Sequence, residues 1–274
     1  MNYTKFSAEE LVRRYKKELK TVRILRWVTL GCFLAFLVLT ANVMNVTLAI
    51  AAVVVFVMAM RLLQSMTNQQ FVLLQQVLNQ DCDALKYTEI METLEKEVSK
   101  KEIMTMRMCR ARGLYYSGKF AEAREALDGF YSEKPSLGTA LLFRSLSFSC
   151  HLAQGNLEGA WKERQETEQI LNRTPPKQRS SIQRELLIMD AALALEEERY
   201  EEFFPLQKQV LQEAPLPLHR VMAQYRLALG EIVQGEDAAA REHLEQVVEQ
   251  GGTLYVAAEA ADLLREFGLP EHES

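Results

Sequence analysis

Histidine is scarce in this chain, with four in 274 residues, and His151, His219, His243 and His272 are scattered. No HExxH, Walker loop, GxSxG or glycine-rich phosphate cradle occurs in it. The four cysteines, Cys32, Cys82, Cys109 and Cys150, match no zinc or redox spacing. Unpaired thiols in a reducing compartment are expected. Cys150 and His151 are neighbours, which diverge on a helix and make a poor metal pair. The acidic runs Glu196–Glu198 and Glu201–Glu202 read as a solvated face. No metal, cofactor or catalytic residue is expected, so the chain is read as not an enzyme. An unrecognised pocket enzyme is the weakest alternative.

Charge is also missing where it matters most. Residues 27–60 hold no Asp, Glu, Lys or Arg. As one helix those 34 residues would be about 51 Å long, against a hydrocarbon core of about 30 Å. Asn42 and Asn45 interrupt the run near its middle and suit a turn. Two short spans, 24–42 and 45–62, are predicted, with some thinning or tilt. The Asn45-Val46-Thr47 sequon falls at the bilayer surface and is read as chance. A cleaved signal peptide fits poorly, because the run is too long and lacks a small-residue cleavage site.

Basic residues gather before that run. Residues 1–26 carry +5, and the rest of the chain carries −10 of the net −5. Flanking cations and Arg61 place both ends in the cytoplasm. Residues 1–23 read as a basic amphipathic helix, with Leu11, Tyr15, Leu19 and Val22 on one face. Anionic lipid headgroups are its expected contact over residues 5–26. Tyr15 and Trp27 are expected as interface anchors. An acidic remainder speaks against nucleic acid as a partner.

After residue 62 a six-residue pattern recurs. GKFAEA begins at Gly118, GNLEGA at Gly155, ERYEEF at Glu198 and GEDAAA at Gly235, with steps of 37, 43 and 37. The long step contains NRTPPKQRSS, a loop of the right size for the excess. A degenerate earlier copy is expected at Asp81. Apolar residues flank each copy at helical spacing, and no stretch alternates like a strand. Pro135 and Pro215 are expected to stop second helices. Residues 253–267 read as a terminal capping helix, ended by Gly268 and Pro270.

This pattern resembles the tetratricopeptide repeat (TPR) family, a helix–turn–helix unit with a turn residue, an aromatic two later, Ala five later and Pro twelve beyond. Gly118, Phe120, Ala123 and Pro135 match throughout. Gly155 and Ala160 match, with Leu157 for the aromatic. Tyr200 and Pro215 match, with Phe203 for the Ala. Gly235 and Ala240 match, with Asp237 for the aromatic. The resemblance covers roughly 100–250 well and 62–99 poorly. With the uncharged run and its basic flank, it gives an all-α chain: a basic helix (1–23), a two-helix transmembrane hairpin (24–62) and, from the resemblance, a TPR-like helical-hairpin solenoid (63–270). Residues 62–80 are expected to form the first repeat's first helix, with a stalk that continues the second span and an interfacial helix as the alternatives.

The resemblance further implies a concave groove for a protein or peptide. Its lining would be Met108, Arg112, Tyr115 and Tyr116, then Leu142, Ser145, Ser149 and Leu152. Glu185, Ile188 and Ala192 follow, then Met222, Tyr225 and Leu229. This lining is mainly apolar, with one Arg, and suits an amphipathic helix or hydrophobic peptide. Lys and Asn of the family's carboxylate-clamp form are replaced by Met108, Ser145 and Ser149, so that partner is not implied. A membrane-anchored scaffold or adaptor is the expected function, in a bacterial inner membrane given the lack of other targeting signals. A subunit of a larger membrane complex is the alternative, with Gly31, Ala35, Ala49, Ala51, Ala52 and Ala59 permitting close span contact.

Overall fold

The computed structural model describes residues 5–43, 46–98, 103–128 and 136–266. They are helical with no strand among them, and they fall into two compact units divided between Gln76 and Val77.

The first unit is built from α1 (Ala8–Val43) and most of α2 (Val46–Asn79). Both are long and apolar enough to cross a membrane. Asn42 lies within α1, and the rest of the expected turn, Met44 and Asn45, lies outside the described residues. Phe33 stacks on Phe56 with ring centroids 4.2 Å apart. Arg26 donates to Gln64 at 2.9 Å and to Thr67 at 3.1 Å, so its guanidinium ties the two helices where the uncharged run begins. Trp27, Val38, Leu39, Val55 and Met58 lie exposed along that run.

Two expectations change here. Residues 8–23 are not a separate helix, because α1 continues without a break into the uncharged stretch. Tyr15 is buried rather than placed at an interface. No helix breaker separates Lys20 from Trp27, so the hydrogen-bond ladder simply continues. The same holds after Arg61: residues 62–79 extend α2 instead of starting a new helix.

The second unit holds the end of α2 and ten more helices. These are α3 (Ala84–Glu95), α4 (Ile103–Tyr116), α5 (Phe120–Asp128), α6 (Leu137–Ala153) and α7 (Leu157–Arg173). After them come α8 (Ser180–Glu196), α9 (Tyr200–Gln212), α10 (Pro217–Gln234), α11 (Asp237–Gln250) and α12 (Tyr255–Glu266). A single 3-10 turn, Pro176–Gln178, occupies the Pro-rich excess of the long step. From α3 onward each helix packs on the next, and α4, α6, α8, α10 and α12 also pack on one another as a row. Pro215 lies between α9 and α10, while Pro135, Gly268, Pro270 and His272 fall outside the described residues.

The recurring hexapeptide marks one repeated turn. Gly118, Gly155, Glu198 and Gly235 have φ of 82°, 68°, 58° and 73°. The following amide donates to a carbonyl five residues back each time: Lys119 to Leu114, Asn156 to His151, Arg199 to Ala194 and Glu236 to Glu231, at 2.8–2.9 Å. This closes a helix whose last residue lies in the left-handed region, where a Cβ is costly and Gly is favoured. The earlier copy expected at Asp81 turns at Cys82 instead, with φ 52°. Asp83 there donates to Val77 at 3.0 Å, one residue further back. This turn closes the end of α2 ahead of α3.

The sixth position of the hexapeptide is buried in every copy: Ala123, Ala160, Phe203 and Ala240. Ala123 shares a core cluster with Cys150 of α6, and Ala160 shares one with Leu193 of α8. Both partners stand five residues before their own turn. In the third copy that partner is Gly230 of α10, where an added Cβ would lie 2.4 Å from Phe203 Cε1. The aromatic ring fills the volume that Gly230 leaves. The Ala-to-Phe departure from the pattern is therefore compensated in the next helix, as close packing requires.

The unit also closes on itself. Thr253 N–H donates to the Cys82 carbonyl at 3.1 Å, and its hydroxyl donates to Asp83 at 3.0 Å. Leu85 N–H donates to Thr253 Oγ1 at 3.2 Å. Tyr255 of α12 meets Tyr115 and Phe120 edge-on, at centroid distances of 6.0 and 5.0 Å.

Candidate functional site

The even-numbered row brings its side chains together on one face. Tyr115 and Tyr116 from α4, Ser145 and Ser149 from α6, Glu185 and Ile188 from α8, and Met222 from α10 line a cavity of about 80 Å³. These are seven of the residues expected from the register. A second cavity of about 110 Å³ adjoins it, lined by Leu152, Ala192, Tyr225, Leu229 and Tyr255. Tyr115, Ser149, Met222 and Arg226 border both.

Met108, Arg112 and Leu142 line neither cavity. Met108 is buried in the core between α4, α5 and α6, and Leu142 packs against that core. Arg112 donates to Asn79 at 2.6 Å, and its guanidinium carbon lies 5.7 Å from the Tyr116 ring centroid. Tyr225 donates to Glu259 of α12 at 2.6 Å. The chain's own last helix thus covers part of the face that was expected to be open, and Tyr115, Met222 and Tyr225 are buried. Tertiary closure has converted those groove positions into interior.

Three polar residues of the first cavity were not anticipated: Arg184, His219 and Arg226. The helical register could have found them. Arg184 precedes Ile188 by four residues, His219 precedes Met222 by three, and Arg226 follows it by four. They were passed over because cations are ordinarily assigned to the solvent side of a helix.

The electrostatics of this wall are unusual for a packed helical interior. Burial pushes the His219 imidazole down to about 4, and Arg112 and Arg184 act the same way. His219 Nδ1 is buried and has no hydrogen-bond partner among the described residues. Burial raises the Glu185 carboxyl, although a hydrogen bond from Ser145 and the charges of Arg226, Arg112 and Arg184 pull it back. Burial likewise raises the Tyr116 phenol. Among the described residues, no group of three His, Cys, Asp or Glu side chains is placed to hold a metal ion.

No protein-family model matches this sequence, and neither a curated protein nor a solved structure matches it.

Proposed function

We propose that the chain is a membrane-anchored cytoplasmic scaffold or adaptor whose second unit is a TPR-like array of helix pairs that binds a protein or peptide. The observation that carries this reading is the gathering of side chains from α4, α6, α8 and α10 around one face. The repeated turn geometry at Gly118, Gly155, Glu198 and Gly235 supports the TPR-like assignment. The uncharged, exposed stretch of α1 and α2 supports the anchor.

The uncharged stretch takes Trp27–Val43 of α1 and Val46–Met60 of α2 into the bilayer. At 1.5 Å per residue these lengths are about 25 and 22 Å, short of the 30 Å core, so local thinning or oligomerisation follows. The remaining 19 residues of each helix, Ala8–Arg26 and Arg61–Asn79, extend about 28 Å beyond it on the cytoplasmic side. Headgroup contact then falls to Lys20, Arg23, Arg26 and Arg61, and Arg13 and Arg14 stand clear of the surface. Gly31, where an added Cβ would meet nothing within 4 Å, leaves room for a neighbouring span and favours the complex-subunit reading as the second choice.

The test is site-specific photo-crosslinking of the full-length protein in native membranes. A photoreactive residue at Arg184, on the rim, should capture a discrete partner that Ile188→Glu abolishes. The same probe at Glu158 should capture none. Capture that is equal at both positions, or indifferent to Ile188→Glu, would defeat the adaptor reading.

A further inference from the structure

We infer that the two adjoining cavities form one chamber for a small organic anion, an oxyanion head joined to a short apolar tail. The basis is an asymmetry of donors and apolar walls at a point where the chain closes on itself. It goes beyond the adaptor reading and does not depend on it.

The head wall carries two guanidiniums. Arg184 and Arg226 carry no hydrogen bond and no ion pair among the described residues. Guanidiniums are planar forks that match an oxyanion in two-point geometry. His219 lines the same cavity, with its Nδ1 buried and unpartnered among the described residues. Buried polar atoms are ordinarily paired, so an orphan beside two uncommitted guanidiniums points to a missing polar group. Three carboxylates face this space. Glu185 already accepts from Ser145. Glu213 and Glu196 are exposed to water at the edges. Arg112 adds a third guanidinium behind Tyr116. Of the lining groups, Arg226, His219 and Glu185 are the more enclosed, and burial works against charge on His219 and Glu185, which leaves Arg226 as the enclosed charge.

The tail wall is apolar. Leu152, Ala192, Leu195, Leu229 and the ring of Tyr255 line the second cavity. Arg226 borders both cavities and sits where head meets tail. The two cavities measure about 80 and 110 Å³. That is the size of a short-chain carboxylic acid. It is well below the ~300–1,000 Å³ of sites for drug-sized ligands.

The full-length protein in detergent, titrated with butanoate, tests this. Acetate, butanamide and butylammonium serve as controls, and the readouts are the unfolding midpoint and calorimetric binding. Butanoate should bind saturably and raise the midpoint by about 3–6 °C at tenfold excess over its Kd. Acetate should bind more weakly, and the amide and the ammonium should not bind. Arg226→Gln should abolish the effect. Arg184→Gln, an exposed position that leaves the fold intact, should weaken it about tenfold or more. Leu229→Trp should fill the tail wall and favour acetate over butanoate. Equal stabilisation by butanamide, or undiminished binding in Arg184→Gln, would overturn the assignment, as would no saturable binding by any acid at 50 mM. Ile188 lines the same cavity, so the titrations use proteins with Ile188 intact, and butanoate binding is scored separately from partner capture.

Discussion

The packing of Phe203 against Gly230 makes a prediction with a change of sign. Phe203 is fully buried, and its ring occupies the place where a side chain on Gly230 would go. Phe203→Ala should cost about 3–5 kcal/mol, the usual penalty for deleting a buried ring. Gly230→Leu alone gains about 1 kcal/mol of helix propensity. It must nevertheless displace a ring atom that stands 2.4 Å from the new Cβ, and it should be net destabilising by about 1–3 kcal/mol. In the Phe203→Ala background the same Leu fills the cavity and recreates the Ala160–Leu193 pair of the preceding copy. There it should stabilise by about 2 kcal/mol, leaving the double variant about 1–3 kcal/mol below the parent. Urea unfolding of the four full-length proteins in detergent, followed by far-UV circular dichroism, measures the cycle. The volume-pairing argument requires a coupling of at least ~2 kcal/mol. Additive losses in the double variant would refute it.

Other outcomes follow from the same structure. Glu198 holds φ +58° without being glycine, so Glu198→Gly should stabilise by about 1 kcal/mol in the same unfolding assay. His219, lowered to about 4 by burial, binds its proton more readily when unfolded. Stability should therefore fall as pH drops from about 6.5 to about 4, by up to ~3 kcal/mol from this group. Glu185, raised by burial, acts in the opposite sense in part of that window. The difference between parent and His219→Gln across pH 4–7 isolates the histidine, and parallel curves would count against its burial. Burial pushes the Cys82 and Cys150 thiols up to about 11 and about 12. Both should resist maleimide at pH 7.5 until urea unfolds the second unit, as peptide mapping would show. Thr253→Ala removes the hydroxyl from the Asp83–Leu85 cluster and should cost about 1–2 kcal/mol.

Most of the helix pairs were legible because their turns demand a backbone conformation that selects Gly. Cys82 escaped that signal, since a non-glycine in the same conformation has no mark in composition. The junction at residue 62 was misplaced for a related reason. The loss of hydrophobicity after Arg61 is a change of solvent, not of backbone, and α2 runs through it. Phe203 looked like a defect in the motif because its compensating Gly230 lies 27 positions away, beyond any local pattern. Seven expected face residues do converge on one cavity. The three charged or titratable ones beside them were overlooked because cations are ordinarily assigned to the solvent side of a helix. The contact of Tyr255 with Tyr115 lay outside what a repeat pattern can convey, since no repeat encodes where its last unit lands.

That last contact alters how the second unit gains its stability. In an open array of helix pairs each unit leans only on its neighbours, and the ends fray independently of the middle. Here Thr253 bonds to Asp83 across 170 residues. The entropy of closing so long a loop grows only logarithmically with its length, but none of it is recovered until the final helix docks. Folding is thus expected to finish late, with a slow step set by this one distant pairing. Once docked, the first and last pairs acquire the neighbours that an open end would lack. Truncation before Thr253 should therefore loosen amide protons in α3 and α4, at the other end of the chain from the cut.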